Sequence, residues 1–254
     1  MKLQLEKCEF LRKEVSYLGH QITEAGVRPD PQKVAIERFH THTNPRQKAF
    51  CGMISYYRRF IPNCNRIASL LHKLLKKDTK FEWTEAQENS FQHLKSKLTR
   101  QTILQYSDFS NEFVLITDAS NQGVGAVLSQ GPIGKDLPVA FASRSLNSVE
   151  THYTISEKEL LAIVWATKYF RPYLYGRKFK IVSDHKLLVW VVNVRDPGSR
   201  LMRWRIQLAE YDYEIVHKRG SQNTNADAMS RIGSVDRVQE RRDIPDKNKK
   251  TDFV

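Results

Sequence analysis

The chain has 254 residues, 40% hydrophobic and 27% charged, which supports a buried core and excludes wholesale disorder. Forty-one Lys and Arg against 28 Asp and Glu leave a formal charge of +13. That excludes an acidic solvating protein and favours a polyanionic partner, most often nucleic acid. Its three Cys, at 8, 51 and 64, form no CxxC pair. Neither a disulfide framework nor a structural zinc site is expected, and a reducing compartment is. The longest apolar runs, 160–166 and 187–192, fall far short of the roughly 18 residues of a membrane span. Charged residues follow Met1 without an apolar stretch, so neither a membrane partner nor secretion is expected.

In chain order, Phe10 to Ile22 reads as two short strands, with a turn at Glu24-Ala25-Gly26. Two strands alone are unstable, so this hairpin ends something larger or packs on the segment after it. Pro29 and Pro31 break the chain. Val34, Ile36 and Phe39 begin a short helix. Phe50, Ile54, Tyr57 and Ile61 then form a stripe at the helical period, which Pro62 ends. Ile67, Leu70, Leu71, Leu74 and Leu75 mark a third helix. Glu85 to Leu98 marks a fourth, with Thr84 as its N-cap.

At Asn111 the pattern changes. Phe113–Thr117, Gly123–Leu128 and Val139–Ser143 read as three strands, followed by an almost wholly apolar helix, Glu157–Phe170. Phe179–Ser183 is a fourth strand and Tyr213–His217 a fifth. Helices are expected at 187–192, 201–209 and 225–231. This is a mixed α/β domain of ordinary size. The positive charge concentrates upstream: +8 over residues 1–110, +4 over 111–232 and +1 over 233–254. The last segment reads as a solvated tail.

Four acids sit where chemistry would want them. Asp118 and Asp184 end two apolar strands, Glu159 lies in the apolar helix and Asp227 opens the last one. Converging carboxylates repel one another, and a divalent cation cures that; oxygen ligands select Mg²⁺ or Mn²⁺. Taken singly, Asp118 is equally a turn acid and Asp184 equally a helix cap, while an acid placed like Asp227 is more often only a cap or dipole partner. Glu157 competes with Glu159, and periodicity does not choose between them, because both flanks are apolar.

Thr117-Asp118-Ala119-Ser120 with Gly123 to Gln130 resembles the opening of the ribonuclease H domain of Ty3/gypsy-type retrotransposon Pol polyproteins. Tyr153 to Ala162 resembles its second motif, and that resemblance selects Glu159 over Glu157. Ser183-Asp184-His185 resembles the third motif, and Asn223 to Arg231 the fourth. Upstream, Lys7 to Phe10 and Tyr17 to His20 resemble the end of the reverse transcriptase palm, including its primer-gripping hairpin. Ser55 to Ile61, Phe81 to Trp83 and Phe91 to Lys95 resemble the thumb/connection region. The implied division is 1–26 palm end, 27–105 thumb/connection, 111–232 ribonuclease H-like domain and 233–254 tail. The implied fold is α/β: a ribonuclease H-like mixed five-stranded sheet with flanking helices, after a small β-hairpin and a helical subdomain.

The resemblance implies a metal-dependent endonuclease acting on the RNA strand of RNA–DNA hybrids. Two Mg²⁺ (or Mn²⁺) ions would be held by Asp118, Glu159, Asp184 and Asp227. His217 would assist product release, though this family more often carries Tyr there. Tyr17, Gly19, His20, Tyr56, Arg58, Arg59, Lys73, Lys76 and Lys77 would track the nucleic acid. Tyr57 and Phe60 read as core. The polymerase motif Tyr-x-Asp-Asp is not in the sequence, so no polymerase activity is expected of this chain by itself. Further partners would be the palm and fingers, or the integrase, of a parent polyprotein. Its place would be intracellular, in a cytoplasmic virus-like particle or the nucleus. The alternative is a catalytically silent nucleic-acid-binding remnant or accessory domain of a reverse transcriptase.

Overall fold

The computed structural model describes residues 12–31, 44–76, 79–99, 102–183 and 199–217. The expected helices at 34–39, 187–192 and 225–231 lie outside these residues, as do Asp184, Asp227 and Lys77.

Three short antiparallel strands open the described chain: β1 (Glu14–Tyr17), β2 (His20–Thr23) and β3 (Gly26–Pro29). The sequence suggested only two. The third is held from far along the chain, where Val27 and Leu104 exchange backbone hydrogen bonds of 2.9 and 2.8 Å. Gly26 is required there: its φ is +138°, and a Cβ would collide with the Leu104 carbonyl. The strands also pack on the helical segment. Tyr57 donates its hydroxyl to the Gly19 carbonyl (2.8 Å), and Tyr56 donates to that of Leu18.

The helical segment comprises α1 (Asn44–Tyr56), α2 (Cys64–Leu74) and α3 (Glu85–Thr99). The stripe of Phe50, Ile54, Tyr57 and Ile61 is buried as expected. Helix α1 nevertheless ends at Tyr56, and a 3-10 turn, Arg58–Phe60, lies between the last two stripe residues Tyr57 and Ile61, so Pro62 follows the turn rather than ending the helix. One core joins these residues to Ile67, Leu71, Phe91, Leu94, Leu98 and Leu104.

The second region is a five-stranded mixed sheet in the order β6-β5-β4-β7-β8. Its strands are β4 (Phe113–Ala119), β5 (Gly123–Gln130), β6 (Leu137–Ser145), β7 (Lys178–Ser183) and β8 (Asp212–His217). The first three pair antiparallel through short turns. β7 and β8 run parallel to β4 and to β7 respectively, and parallel neighbours need long crossovers. Helix α4 (Ile155–Tyr169) lies in the first crossover, followed by the one-turn α5 (Arg171–Leu174); α6 (Ser199–Leu208) lies in the second. The inner strands β4 and β5 are nearly continuous buried runs, with apolar clusters on both of their faces.

One face of the sheet, with Phe113, Leu115, Ala126, Leu128 and Ile181, packs on α4. The other carries Val114, Ile116, Val127 and Val182. Phe141 packs against both this second cluster and the core of the helical segment. The helical segment and the sheet are thereby joined by shared apolar contacts.

Candidate active site

Asp118 is the penultimate residue of β4, half-buried where the strand leaves the core. Because side chains alternate along a strand, it faces the same side as Val114 and Ile116. Its cross-strand partner is Gly125, and Gly125 pairs with Ser143. This row is far less bulky than the neighbouring row of Ile116, Val127 and Phe141, and it opens a narrow cleft beside the carboxylate. Asn63, Arg66, Asp118, Ser120, Ser143 and Arg144 are among its lining residues.

Glu159 is half-buried on α4, one turn from the helix start. Its competitor Glu157 has another task. It forms a capping box with Thr154, accepting from the Thr154 amide at 2.9 Å, and it pairs with Arg200. Burial alone would raise the Glu157 pKa, but hydrogen bonds from the Thr154 amide and Arg200 bring it below the ordinary value. A carboxylate so committed is poorly available to a metal. Beside Glu159, the buried Lys158 ammonium donates to Asn121 in the β4–β5 turn (3.1 Å).

β7 lies parallel to β4, so the two strands end at the same edge of the sheet. Ser183, the residue before Asp184, pairs in register with His217 at the end of β8. Among the described residues no three His, Cys, Asp or Glu side chains gather as a metal centre. Of the four expected ligands, Asp118 and Glu159 are described.

The expected nucleic-acid residues group at the hairpin and α1. Tyr17 and Tyr56 are exposed, and the His20 ring lies 5.3 Å from that of Tyr56 and 5.5 Å from that of Phe60. Gly19 adopts φ +77° at the hairpin tip, where a side chain would strike the Tyr57 hydroxyl. Arg58, Arg59, Lys73 and Lys76 are exposed. Tyr57 and Phe60 are core, as read from the sequence. The sequence reading missed Asn63, Arg66, Ser143 and Arg144 at the cleft. The available signal was Gly125, a glycine inside an apolar strand that marks a close approach.

This fold is ribonuclease H-like, and residues 108–211 match the family described as an RNase H-like domain found in reverse transcriptase. The chain is homologous to part of the Pol polyproteins of retrotransposons, bearing out the resemblance to the Ty3/gypsy type. It is 49% identical over 235 residues to the retrovirus-related Pol polyprotein from transposon 297 of Drosophila melanogaster, covering 91% of this chain and 22% of that protein. It is 42% identical over 234 residues to the one from transposon 412 of the same fly, covering 91% and 19%. The Tf2-3 polyprotein of Schizosaccharomyces pombe is 36% identical over 233 residues, covering 89% and 18%. The chain thus spans about a fifth of the length of the curated relatives it matches. Among solved structures, a foamy viral protease-reverse transcriptase dRH in complex with double-stranded DNA superposes with a TM-score of 0.71 at 21% identity, covering 82% of this chain and 38% of that one. The foamy viral protease-reverse transcriptase in complex with an RNA/DNA hybrid gives 0.69 at 21%, covering 85% and 30%. At that identity the likeness shows the fold. Among the described residues no helix is long and apolar enough to cross a membrane.

Proposed function

We propose that the chain hydrolyses the RNA strand of RNA–DNA hybrids in a metal-dependent endonucleolytic reaction, as the ribonuclease H portion of a reverse transcriptase. The observation that carries this reading is Asp118, held at the end of a buried strand and facing a polar cleft, within the span that matches the RNase H-like family. An all-carboxylate donor set fits a hard, oxygen-seeking ion. Asp118 and Glu159, with Asp184 and Asp227, are the residues we assign to hold two Mg²⁺ or Mn²⁺ ions. Such ions, when bound, supply an activated water and stabilise the departing 3′ oxygen.

We assign His217, whose backbone pairs in register with Ser183, to product release; His217→Ala is expected to slow turnover without weakening hybrid binding. The division at 1–26, 27–105, 111–232 and 233–254 stands as part of the same proposal, as does an intracellular setting. The palm and fingers, or an integrase, of a longer polyprotein are proposed partners. A second reading, a silent binding remnant, is favoured by the exposed Arg58, Arg59, Lys73 and Lys76. Strand-specific labels on a hybrid, with Mg²⁺ or Mn²⁺, separate the two. The proposal expects cleavage of RNA only, reduced at least about a thousandfold in Asp118→Asn, with hybrid binding retained. Binding without cleavage in the unaltered chain would favour the remnant.

A further inference from the structure

Lys158 precedes Glu159 on α4, and it is buried. Residues three or four apart on a helix share a face, so Lys158 begins the line that continues through Leu161, Ala162 and Trp165. That line packs on Ala119 and Val124, at the end of β4 and the start of β5. The Lys158 ammonium meets the turn between those strands, where it donates to Asn121 Oδ1 at 3.1 Å. Taking an ammonium out of water is costly, and a neutral amide offsets only part of that cost. A methionine would fill similar space without it, so stability alone gives no reason for a lysine here.

The two bodies that this hydrogen bond joins are each braced from within. In the turn, the Ser120 amide donates to the Gly123 carbonyl at 2.9 Å, and the Ser120 hydroxyl accepts from the Gln122 and Gly123 amides at 3.3 and 3.2 Å. The Gln122 carbonyl in turn accepts from the Leu146 amide at 3.0 Å. Asp118 leads directly into this turn. On α4, the Thr154–Glu157 capping box and the Arg200–Glu157 pair hold the helix start that leads into Glu159. A shift of turn against helix changes the separation of Asp118 and Glu159, and the Lys158–Asn121 bond opposes that shift. We propose that Lys158 and Asn121 are positioning residues of the nuclease site, whose hydrogen bond sets the spacing of the Asp118 and Glu159 carboxylates for a divalent ion. This rests on the nuclease reading above. Groups that orient metal ligands without touching the ion commonly carry about tenfold or more in metal affinity.

The test uses the full chain with Mn²⁺ as the probe. Metal binding is followed, without nucleic acid, by the rise in melting temperature. Cleavage of a strand-labelled hybrid is titrated with Mn²⁺ alongside. Asn121→Ala keeps the ammonium and removes its acceptor; Lys158→Met removes the ammonium and keeps the bulk; the double variant removes both. Each is expected to raise the Mn²⁺ concentration for half-effect about tenfold in both readouts. The double variant should be no weaker than the weaker single one, because all three lose the same bond. In metal-free buffer Lys158→Met should melt at or above the temperature of the unaltered chain, since a buried charge is gone. A lowered melting temperature with an unchanged Mn²⁺ response would make the lysine merely structural and overturn the proposal. An unchanged response in Asn121→Ala would overturn it as well, and so would losses that multiply in the double variant. Tighter Mn²⁺ binding in Lys158→Met would also overturn it, because the ammonium would then act only as a repelling charge. If the unaltered chain shows no Mn²⁺-dependent melting or cleavage, the nuclease reading itself fails, and the positioning role with it.

Discussion

The two faces of the five-stranded sheet show how one set of strands serves two purposes. Toward α4 the sheet is closed: Phe113, Leu115, Leu128, Phe179 and Ile181 meet a helix that is apolar around most of its circumference. The other face begins the same way, with Val114, Ile116 and Val127. Then, one row further along, Asp118, Gly125 and Ser143 replace that bulk. Alternation makes this possible, since adjacent residues of one strand answer to different neighbours. Leu115 and Thr117 belong to the packed face, and Asp118 belongs to the cleft.

The contrast is sharpest in stability. Leu115→Ala should cost about 3–5 kcal/mol in urea denaturation, because α4 and the sheet leave little room for collapse around the cavity. Asp118→Asn, on the cleft face, should cost well under half of that. Equal losses would break the division between a packed face and a working one.

An intermediate effect is expected at Glu150, which anchors the cleft residue Arg144. The Arg144 hydrogen bonds hold the Glu150 carboxyl below its ordinary value, outweighing burial, and the Asn147 amide helps. The folded form therefore binds a proton less readily than the unfolded chain. Its contribution is complete above about pH 4.5 and is lost as the pH falls through the lower folded value. Thermal melting from pH 7 to pH 3 should show a loss of about 1–2 kcal/mol from this group, absent in Glu150→Gln, which is destabilised already at neutral pH. A parallel pH profile in the variant would contradict this.

The smallest effect concerns Thr117, next to Asp118 but on the packed face. Among the described residues its buried hydroxyl finds no hydrogen-bond partner. Thr117→Val keeps the shape and removes the stranded polar group, so it should stabilise by up to about 1 kcal/mol in calorimetry. A loss instead would show that the hydroxyl has a partner in solution.

The sheet was legible because its strands are short apolar runs between turn residues, and the helical stripe from Phe50 to Ile61 because 3.6-residue spacing is local. Strand β3 was not, since its second neighbour is Leu104, distant in sequence. Gly125 signalled a close approach, but nothing near Asn63 and Arg66 in sequence marks them as the residues that make it. Glu157 and Glu159 were a different case. Periodicity failed because α4 is covered on most sides, yet Thr154 three residues before Glu157 is the pattern of a capping box. That pattern was open to a closer local reading, and it separates the capping acid from the other.

The pair of glutamates provides the most direct test of the division between a capping acid and a metal-holding one. Cleavage of a strand-labelled RNA–DNA hybrid, with melting curves, would be measured for Glu157→Gln and Glu159→Gln side by side. Glu159→Gln is predicted to abolish cutting at nearly unchanged stability. Glu157→Gln should keep cutting and lose about 1 kcal/mol with its cap. Activity lost in Glu157→Gln and kept in Glu159→Gln would contradict the assignment of Glu159 to the metal site.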